Sequence, residues 1–367
     1  MKKILLVTKI GKNYGALLQA YALKTVLTSL NYDVQILYYK LKITQKTYSC
    51  LVVPKGFRSF VGFLRSLKNY QSTKESVAKC LAFRENNFSF TKPYKNYEEV
   101  KSDPPEADIY LVGSDQVWNP NLYYDKAYFL MFGKEKVLRA SYAASIGVEK
   151  VSESIEKDFF DRLNNIQLKS VREQSAARYL SEHGINSAVH LDPTLLLKSD
   201  EYDKIAIDPQ ITKPYILLYF VTAKPEFKKI RQHLKKLYPE KTIVNIRSEN
   251  PGSYPFGDVN IGNIGPDGFI GLFKNADAVV TSSFHGTVFS IIYHKYFLTF
   301  TPTHASKRIS DLLDSVELSD NMTSSLEGLN KLFDERNFDA AEMFIAEKRK
   351  EALEYLDNLK TNCALQD

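Results

Sequence analysis

The chain alternates short apolar runs with longer segments in which apolar residues recur at helical spacing. An apolar run at residues 4–8 precedes a helical pattern at residues 16–30, and DVQILYY starts the alternation again. Later runs include DIYLVGS, RASYAAS, YILLYF and DAVVTSS, with helical stretches such as SESIEKDFFDRLNN between them. Strands that alternate with helices form βαβ units on a parallel sheet, so the pattern predicts an α/β protein.

The alternation restarts after DPQITKP, at residues 208–214, which is typical of a linker. We therefore predict two doubly wound, Rossmann-like domains that face a central cleft, over residues 1–198 and 199–338. The charged helical pattern at residues 339–367 is expected to join the N-terminal domain. Ligands of such sheets bind beyond the carboxyl ends of the strands, so the site is expected at the cleft.

Composition excludes several classes of protein. The chain is 44% hydrophobic and 25% charged, as in ordinary folded proteins, and it has no apolar run of the roughly 18 residues that span a membrane. The N-terminal run ILLV is shorter than the core of a signal peptide. Cys50, Cys80 and Cys363 lie too far apart for a zinc site or a disulfide framework, and the six histidines are scattered. We expect a cytoplasmic protein with no metal and no cofactor.

The net charge of +6 is unevenly distributed. Residues 40–79 contain nine Lys or Arg and one acid, Glu75, whereas the rest of the chain contains 40 basic and 42 acidic residues. No nucleic-acid recognition motif accompanies the excess, so no nucleic-acid partner is expected. Within this insert, at about residues 40–80, KGFRSFVGFLRSLKNY predicts an amphipathic basic helix. Such a helix either contacts an anionic membrane surface peripherally or packs its Phe side chains into the N-terminal domain.

The stretch TSSFHGT, at residues 281–287, lies where a predicted strand ends and a helix, expected from Gly286, begins. Ser282 or Ser283 is suited to cap that helix, and Gly286 lets a ligand approach the backbone. The N–H groups of a helix start attract phosphate or carboxylate, and His285 beside them is suited to proton transfer. The alternative is that His285 only hydrogen-bonds a carbonyl in a tight turn.

Further polar residues follow other predicted strands. Asp115 and Gln116 come before the only tryptophan, Trp118, an arrangement that suits hydroxyl binding and stacking on a sugar ring. The alternative is an Asp that caps a turn next to a buried Trp. Arg172 follows a strand at a helix start, where its guanidinium would hold an anion or pair with Glu173.

Two more positions carry candidate charges. Lys307 and Arg308 lie near a helix start shortly after a strand, where cations can hold an anion. Asp192 precedes Pro193, and this pattern favours a structural turn over a catalytic acid.

The motifs NYGALLQAYAL, DIYLVGSDQVWNP, ASYAASIG, SVRE, LDPTLLL and NADAVVTSSFHGTVFSIIYHKYF, in this order, resemble those of the polysaccharide pyruvyl transferase family. The resemblance extends from about Lys3 to Leu313. It implies a fold like that of the GT-B glycosyltransferases. It also implies transfer of the enolpyruvyl unit of phosphoenolpyruvate to two hydroxyls of a sugar, which gives a cyclic pyruvate ketal. The acceptor would be a sugar of a bacterial surface polysaccharide or of its lipid-linked precursor.

This resemblance implies roles for the candidate residues. His285 would be the general acid and Asp115 a base or acceptor ligand. The residues assigned to the doubly anionic donor are Arg172, Ser282, Ser283, Gly286, Lys307 and Arg308. Those assigned to the acceptor are Asn13, Tyr14, Gly15, Gln116 and Trp118.

The chain departs from the family at one place. Several members carry Arg-Leu before the histidine, where this chain has Ser283 and Phe284, so one expected cation is missing. This departure keeps open the alternative of a glycan-binding protein without catalytic activity. A second alternative, within enzymes, is a GT-B glycosyltransferase that uses a nucleotide sugar. The preferred interpretation is a pyruvyl transferase in the cytoplasm or on the inner face of the cytoplasmic membrane.

Overall fold

The computed structural model describes residues 1–39, 48–54, 56–122, 124–221, 226–247, 255–301 and 307–364. Residues 40–47 and 55 of the basic insert, the side chains of Phe57 and Arg58, and residues 365–367 of the predicted C-terminal segment lie outside the described part. No helix in the described ranges is both long enough and apolar enough to cross a bilayer.

The N-terminal unit is built on a parallel sheet with the strand order β2-β1-β3-β4. Its strands are β1 (Lys3–Val7), β2 (Asp33–Ile36), β3 (Ile109–Val112) and β4 (Leu138–Ser141). The register places Leu6 opposite Ile36 and Leu111. Apolar residues on both faces of β1 and β3 are buried, as expected for strands covered by helices on both sides.

A short parallel pair extends this sheet beyond β4. The pair consists of β5 (Ser170–Val171) and β6 (Ala188–Val189), and backbone bridges connect Ala140 to Leu168 and Ala144 to Val171. The helices of this unit are α1 (Tyr14–Ser29), α2 (Phe57–Lys68), α3 (Tyr70–Asn87), α4 (Tyr97–Ser102), α5 (Glu153–Leu163) and α6 (Gln174–Glu182). Two 3₁₀ turns cover Lys126–Phe129 and Pro193–Leu196.

The C-terminal unit is built on a parallel sheet with the order β12-β11-β10-β7-β8-β9. Its strands are β7 (Tyr215–Tyr219), β8 (Thr242–Ile246), β9 (Val259–Ile261), β10 (Ala278–Thr281), β11 (Tyr296–Phe300) and β12 (Met322–Thr323). The helices are α7 (Ser199–Asp203), α8 (Glu226–Leu237), α9 (Pro266–Asn275), α10 (Phe284–Ile292) and α11 (Lys307–Ser315). Two 3₁₀ turns, Ser319–Asn321 and Glu327–Lys331, follow.

The last helices, α12 (Asp339–Asp357) and α13 (Leu359–Ala364), return to the N-terminal unit. The Tyr355 hydroxyl donates to the carbonyl oxygen of Ser141 at 2.9 Å, and the Tyr32 hydroxyl donates to that of Leu356 at 2.7 Å. The predicted division between residues 198 and 199 falls between the two large sheets and stays a prediction.

The two units meet over a shared buried surface. The rings of Tyr14, on α1, and Phe269, on α9, have centroids 5.4 Å apart, and the Tyr14 hydroxyl donates to the carbonyl oxygen of Ile264. Residues of α1 and α10 belong to one continuous apolar cluster. The N-terminal end of α1 therefore lies against the C-terminal unit, close to the end of β10.

Candidate functional site

His285 lies in the first turn of α10, at the carboxyl end of β10. The helix begins at Phe284, two residues earlier than predicted, because Ser283 is its N-cap and its hydroxyl accepts from the backbone N–H of Gly286 at 3.3 Å. The imidazole is buried and has no hydrogen-bond partner for Nε2 among the described residues. An orphaned nitrogen of this kind is available to a ligand.

Gly15 packs against the ring of His285 from the opposite unit. A Cβ added at Gly15 would lie 2.0 Å from Nδ1 of His285, well inside van der Waals contact. Asn13 caps α1 by accepting from the backbone N–H of Ala16 at 2.8 Å, so the first turn of this helix is fixed where it meets the ring. The NYG motif therefore provides a close approach of backbone to imidazole.

Asp192 connects the two units at this point, a role that the sequence did not predict. Its Oδ1 accepts from the backbone N–H and hydroxyl of Thr194, at 3.0 and 2.6 Å, and caps the turn that the Asp-Pro pattern predicts. Its Oδ2 accepts from the Arg172 guanidinium at 2.7 Å and lies 3.8 Å from Nε2 of His285. The structural turn predicted at Asp192 is therefore present, and the second oxygen of the same carboxylate in addition faces the histidine.

Arg172 is anchored by two carboxylates. Its Nε donates to Glu173 at 3.1 Å, as the salt-bridge alternative predicted, and its Nη1 donates to Asp192. The buried Nη2 has no partner among the described residues. The guanidinium carbon lies 4.5 Å from the centroid of the Phe284 ring, within cation–π range. The arginine is thus held rigidly with one pair of N–H groups available.

Lys9 and Asp115 follow β1 and β3 at the same edge of the sheet. The Lys9 ammonium donates to the backbone carbonyl oxygen of Gln116. Burial, together with the positive charges of Arg172 and Arg308, lowers the pKa of Lys9 to about 8, although Asp115 opposes this shift. Lys9 was not predicted from the sequence. The rule that identified Asp115 is that polar residues follow a strand at its carboxyl end, and this rule applies equally to Lys9.

Asp115 has an unusual backbone and a charged environment. Its φ of 72° lies in the left-handed region, and this conformation is retained because its carbonyl oxygen accepts from the N–H groups of Val117 and Ser145. Burial alone would raise its pKa, but the positive charges of Lys9 and Arg172, together with a hydrogen bond from the backbone of Gln116, hold the pKa below its usual value. Asp115 is therefore ionised near neutral pH.

Arg308 extends from α11 towards Gln116. With the amide of Gln116 oriented so that its oxygen faces the guanidinium, the two Nη atoms lie 3.3 and 3.2 Å away. The guanidinium carbon lies 5.9 Å from the centroid of Phe284. Lys307 instead pairs with Asp311 at 3.0 Å, and half of its side chain is exposed. Of the two predicted cations, Arg308 joins the His285 cluster, whereas Lys307 pairs at the surface of its own helix.

The electrostatics of His285 result from opposing contributions. Burial lowers its pKa, the carboxylates of Asp192 and Asp115 raise it, and the guanidinium groups of Arg172 and Arg308 lower it; the net shift is downward. The imidazole is therefore neutral at neutral pH in this state. A bound anion would counter the guanidinium charges and raise the pKa.

A cavity of about 250 Å³ adjoins the cluster. Arg172, Asp192, Phe284 and Arg308 contribute to its lining, together with Lys348 from α12. The two arginines therefore belong both to the charged cluster around His285 and to the wall of this cavity. In the described part of the chain, no group of three or more His, Cys, Asp and Glu side chains is arranged to hold a metal ion.

Comparison with known proteins assigns the family. The model of the polysaccharide pyruvyl transferase family matches residues 13–304. The chain belongs to this family. The matched region contains Gly15, Asp115, Arg172, Asp192 and His285, and so covers most of the cluster. None of the curated proteins compared with the chain matches it.

Solved structures confirm the GT-B-like fold predicted from the sequence. Similar structures include the UDP-N-acetylglucosamine 2-epimerase of Listeria monocytogenes, with a TM-score of 0.56 and 11% identity over 100% of this chain and 97% of that one. MnaA of S. aureus, in a structure with UDP, has a TM-score of 0.53 and 12% identity over 100% and 98% of the two chains. At these identities the likeness concerns the fold alone.

The remaining predicted residues of this family member lie elsewhere or have structural roles. Trp118 is fully buried, donates to the carbonyl oxygen of Tyr128 at 3.0 Å and stacks on Phe129. The prediction that Trp118 stacks on a sugar was wrong, because neither face of its ring is accessible. Tyr14 lies buried between the units, Asn13 is a cap, and the backbone N–H of Ser282 donates to the carbonyl oxygen of Tyr219 at 3.2 Å.

Proposed function

We propose that the chain transfers the enolpyruvyl unit of phosphoenolpyruvate to two hydroxyls of a sugar and releases phosphate. The observation that carries this proposal is the convergence of three cations at the cleft: Arg172 and Arg308 act on the buried His285, and Lys9 lies near both arginines and Asp115. A small donor with a carboxylate and a phosphate matches such a cluster. Burial removes the cations from water, and the two negative groups of the donor would pair with them instead.

The cations also account for the missing arginine of the family motif. Phe284, which stands near the expected position of that arginine, contacts the guanidinium of Arg172 and lies near that of Arg308. Its ring supports two arginines from other elements, and Lys9 adds a third charge from the end of β1. We infer that the donor anions are held by these three cations, which lie outside the histidine motif.

The chemistry begins with a proton from His285. Donor anions raise the pKa of the imidazole, and its protonated form gives the proton to the methylene carbon of phosphoenolpyruvate. The resulting oxocarbenium-like carbon is attacked by one sugar hydroxyl, with Asp115 as the acceptor ligand or base that receives its hydrogen. The second hydroxyl then forms the other C–O bond as the bond to phosphate breaks. The proton taken up at Asp115 leaves with phosphate, and the proton of the second hydroxyl restores His285.

The position of Asp192 supports this role for His285. A carboxylate 3.8 Å from Nε2 favours the protonated imidazole once the donor neutralises the arginines. Asp192 also fixes Arg172, so one residue orients both the anion-binding group and the acid. The acceptor is proposed to be a sugar of a surface polysaccharide or of its lipid-linked precursor.

The test is phosphate release from phosphoenolpyruvate in the presence of galactosyl, mannosyl and glucosyl acceptors, with calorimetric binding of the donor measured alongside. We expect donor binding, acceptor-dependent release, and a His285→Ala variant that binds the donor but reacts about 10²–10⁴-fold more slowly. Thermal stabilisation by UDP-sugars and not by phosphoenolpyruvate would overturn the proposal in favour of a glycosyltransferase. Donor binding without turnover on any acceptor would support a glycan-binding protein without catalytic activity.

A further inference from the structure

Helix α2 presents an apolar stripe to solvent. Phe60, Leu64 and Leu67 are 48%, 49% and 48% exposed. Their spacing of four and three residues places them within an arc of about 60° on the helix surface. Single exposed apolar residues are ordinary, but three half-exposed ones in register form a contiguous patch.

The opposite face of α2 is the one that packs on the protein. Ser66 is buried, and its hydroxyl donates to the carbonyl oxygen of Phe63 at 2.7 Å and accepts from the backbone N–H of Val52 at 3.1 Å. Phe63 is only partly exposed. The alternative in which the helix packs its Phe residues into the domain therefore accounts for Phe63 but not for the stripe.

A basic residue borders the stripe. Lys68 is exposed at one edge of it, whereas Arg65 is partly exposed about 130° from the centre of the stripe. The segment 40–79 contains nine basic residues and one acid, whereas the rest of the chain has two more acids than bases. The one acid, Glu75, lies on α3. Its carboxylate accepts from Gln71 of the same helix and from Asn263 in the loop between β9 and α9. The stripe thus has an exposed lysine at its edge and belongs to a segment whose sequence carries an excess of positive charge.

We propose that α2 docks on the surface of an anionic phospholipid bilayer, with Phe60, Leu64 and Leu67 inserted at the level of the headgroups. A helix with an apolar face and flanking Lys and Arg gains from both burial and attraction to anionic lipid. A second copy of the chain fits this face poorly, because a two-fold interface would bring two segments of like charge together. The proposal is independent of the reaction at the cleft.

The docking helix connects to the site through α3. The Ser76 hydroxyl and the Lys79 ammonium, both on α3, donate to the carbonyl oxygens of Ile264 and Asn263, each at 2.8 Å. The Tyr48 hydroxyl donates to the carbonyl oxygen of Ile10, next to Lys9, at 3.2 Å. Membrane docking would therefore hold the β1–α1 loop of the cleft at a defined position relative to the lipid surface.

The test is co-sedimentation of the full chain with vesicles of phosphatidylcholine alone and of phosphatidylcholine with phosphatidylglycerol, at low and high salt. We expect binding to the anionic vesicles only, weakened by salt. Neutralising Lys68 to Gln should weaken it by about fivefold, and neutralising Arg65, which lies further from the stripe, should weaken it less. Replacing Phe60, Leu64 and Leu67 together with Ser should weaken it by about tenfold or more.

Matched controls keep this result specific. The triple variant Leu122→Ser, Ile207→Ser and Met343→Ser changes side chains that are 48%, 56% and 74% exposed on other surfaces, and it should bind like the unmodified chain. Absence of binding to either vesicle, equal binding to neutral vesicles, or a stripe variant that binds unchanged would each overturn the proposal. So would a dimer in sedimentation equilibrium that the stripe variant abolishes, because the face would then belong to a second copy. None of these outcomes bears on phosphate release.

Discussion

Replacing Gly15 with Ala tests how closely the two units hold His285. The added methyl group would lie 2.0 Å from Nδ1, whereas ordinary contacts of a Cβ lie at 3.4–4 Å. The ring or the start of α1 must therefore move by roughly 1 Å or more, and a misplacement of about 1 Å of a catalytic group costs about 10²-fold in rate. We expect kcat for phosphate release to fall by about that factor.

The stability of this variant should change much less. Overpacking costs about 1–3 kcal/mol, and replacing a helical glycine with alanine regains roughly 0.5–1 kcal/mol. The net loss in the free energy of unfolding is then about 0–2.5 kcal/mol, which leaves the chain folded in a thermal or urea denaturation experiment. Activity and stability should thus separate.

Gly62→Ala is the matched control. It also lies within a helix, α2, but its added methyl group would meet only Val52 Cγ1, at 3.6 Å. We expect unchanged activity and a gain of roughly 0.5–1 kcal/mol in the free energy of unfolding. If the Gly15→Ala variant kept the wild-type kcat, catalysis would not require the close packing of Gly15 on the imidazole, and this reasoning would be refuted.

Three further predictions follow from the charges of the site. Asp192→Asn leaves Arg172 with one fewer carboxylate and should cost about 3–5 kcal/mol of stability in urea denaturation; a loss no larger than that of the surface control Asp103→Asn, whose carboxylate is 69% exposed and pairs with Lys92, would contradict the buried pair. Affinity for phosphoenolpyruvate should fall as pH rises through about 8, where Lys9 loses its proton; Lys9→Arg should retain affinity above that pH in calorimetry, and an identical pH profile in the variant would exclude Lys9 from donor binding. Because burial keeps the pKa of His285 below 6.5, kcat/KM should rise as pH falls below 6.5. The corresponding rise in kcat should occur at higher pH, because the bound donor raises the pKa of the imidazole. A pH-independent kcat/KM would argue against His285 as the acid.

Much of this site follows from one rule, that polar residues directly after parallel strands meet at the carboxyl edge of the sheet. The rule placed Asp115, Arg172 and His285 at the cleft from the sequence alone, and the structure brings all three into one charged cluster. Lys9 obeys the same rule and was missed, because a lysine after a first strand has no motif around it.

The sequence was less informative where one side chain has two functions. Asp192 caps the turn that its Asp-Pro pattern predicts. Its second oxygen also accepts from Arg172, 20 positions earlier, and only the fold shows that partner. Trp118 follows Asp115 closely, but the chain turns inward there, and its indole is enclosed with Phe129. A local pattern does not indicate on which side of a turn a large aromatic ring will lie.

The burial of His285 depends on both units, since its ring belongs to one unit while Gly15 and Asp192 belong to the other. Burial lowers its pKa, so an imidazole exposed by separation of the units would bind a proton more tightly. Between the lowered pKa and 6.5, opening of the empty cleft therefore takes up a proton, and acid favours the open form. If the donor raises the pKa of the closed form above 6.5, as proposed, the sign of this coupling reverses. Closure on the donor would then draw in from solvent the proton that the chemical step consumes.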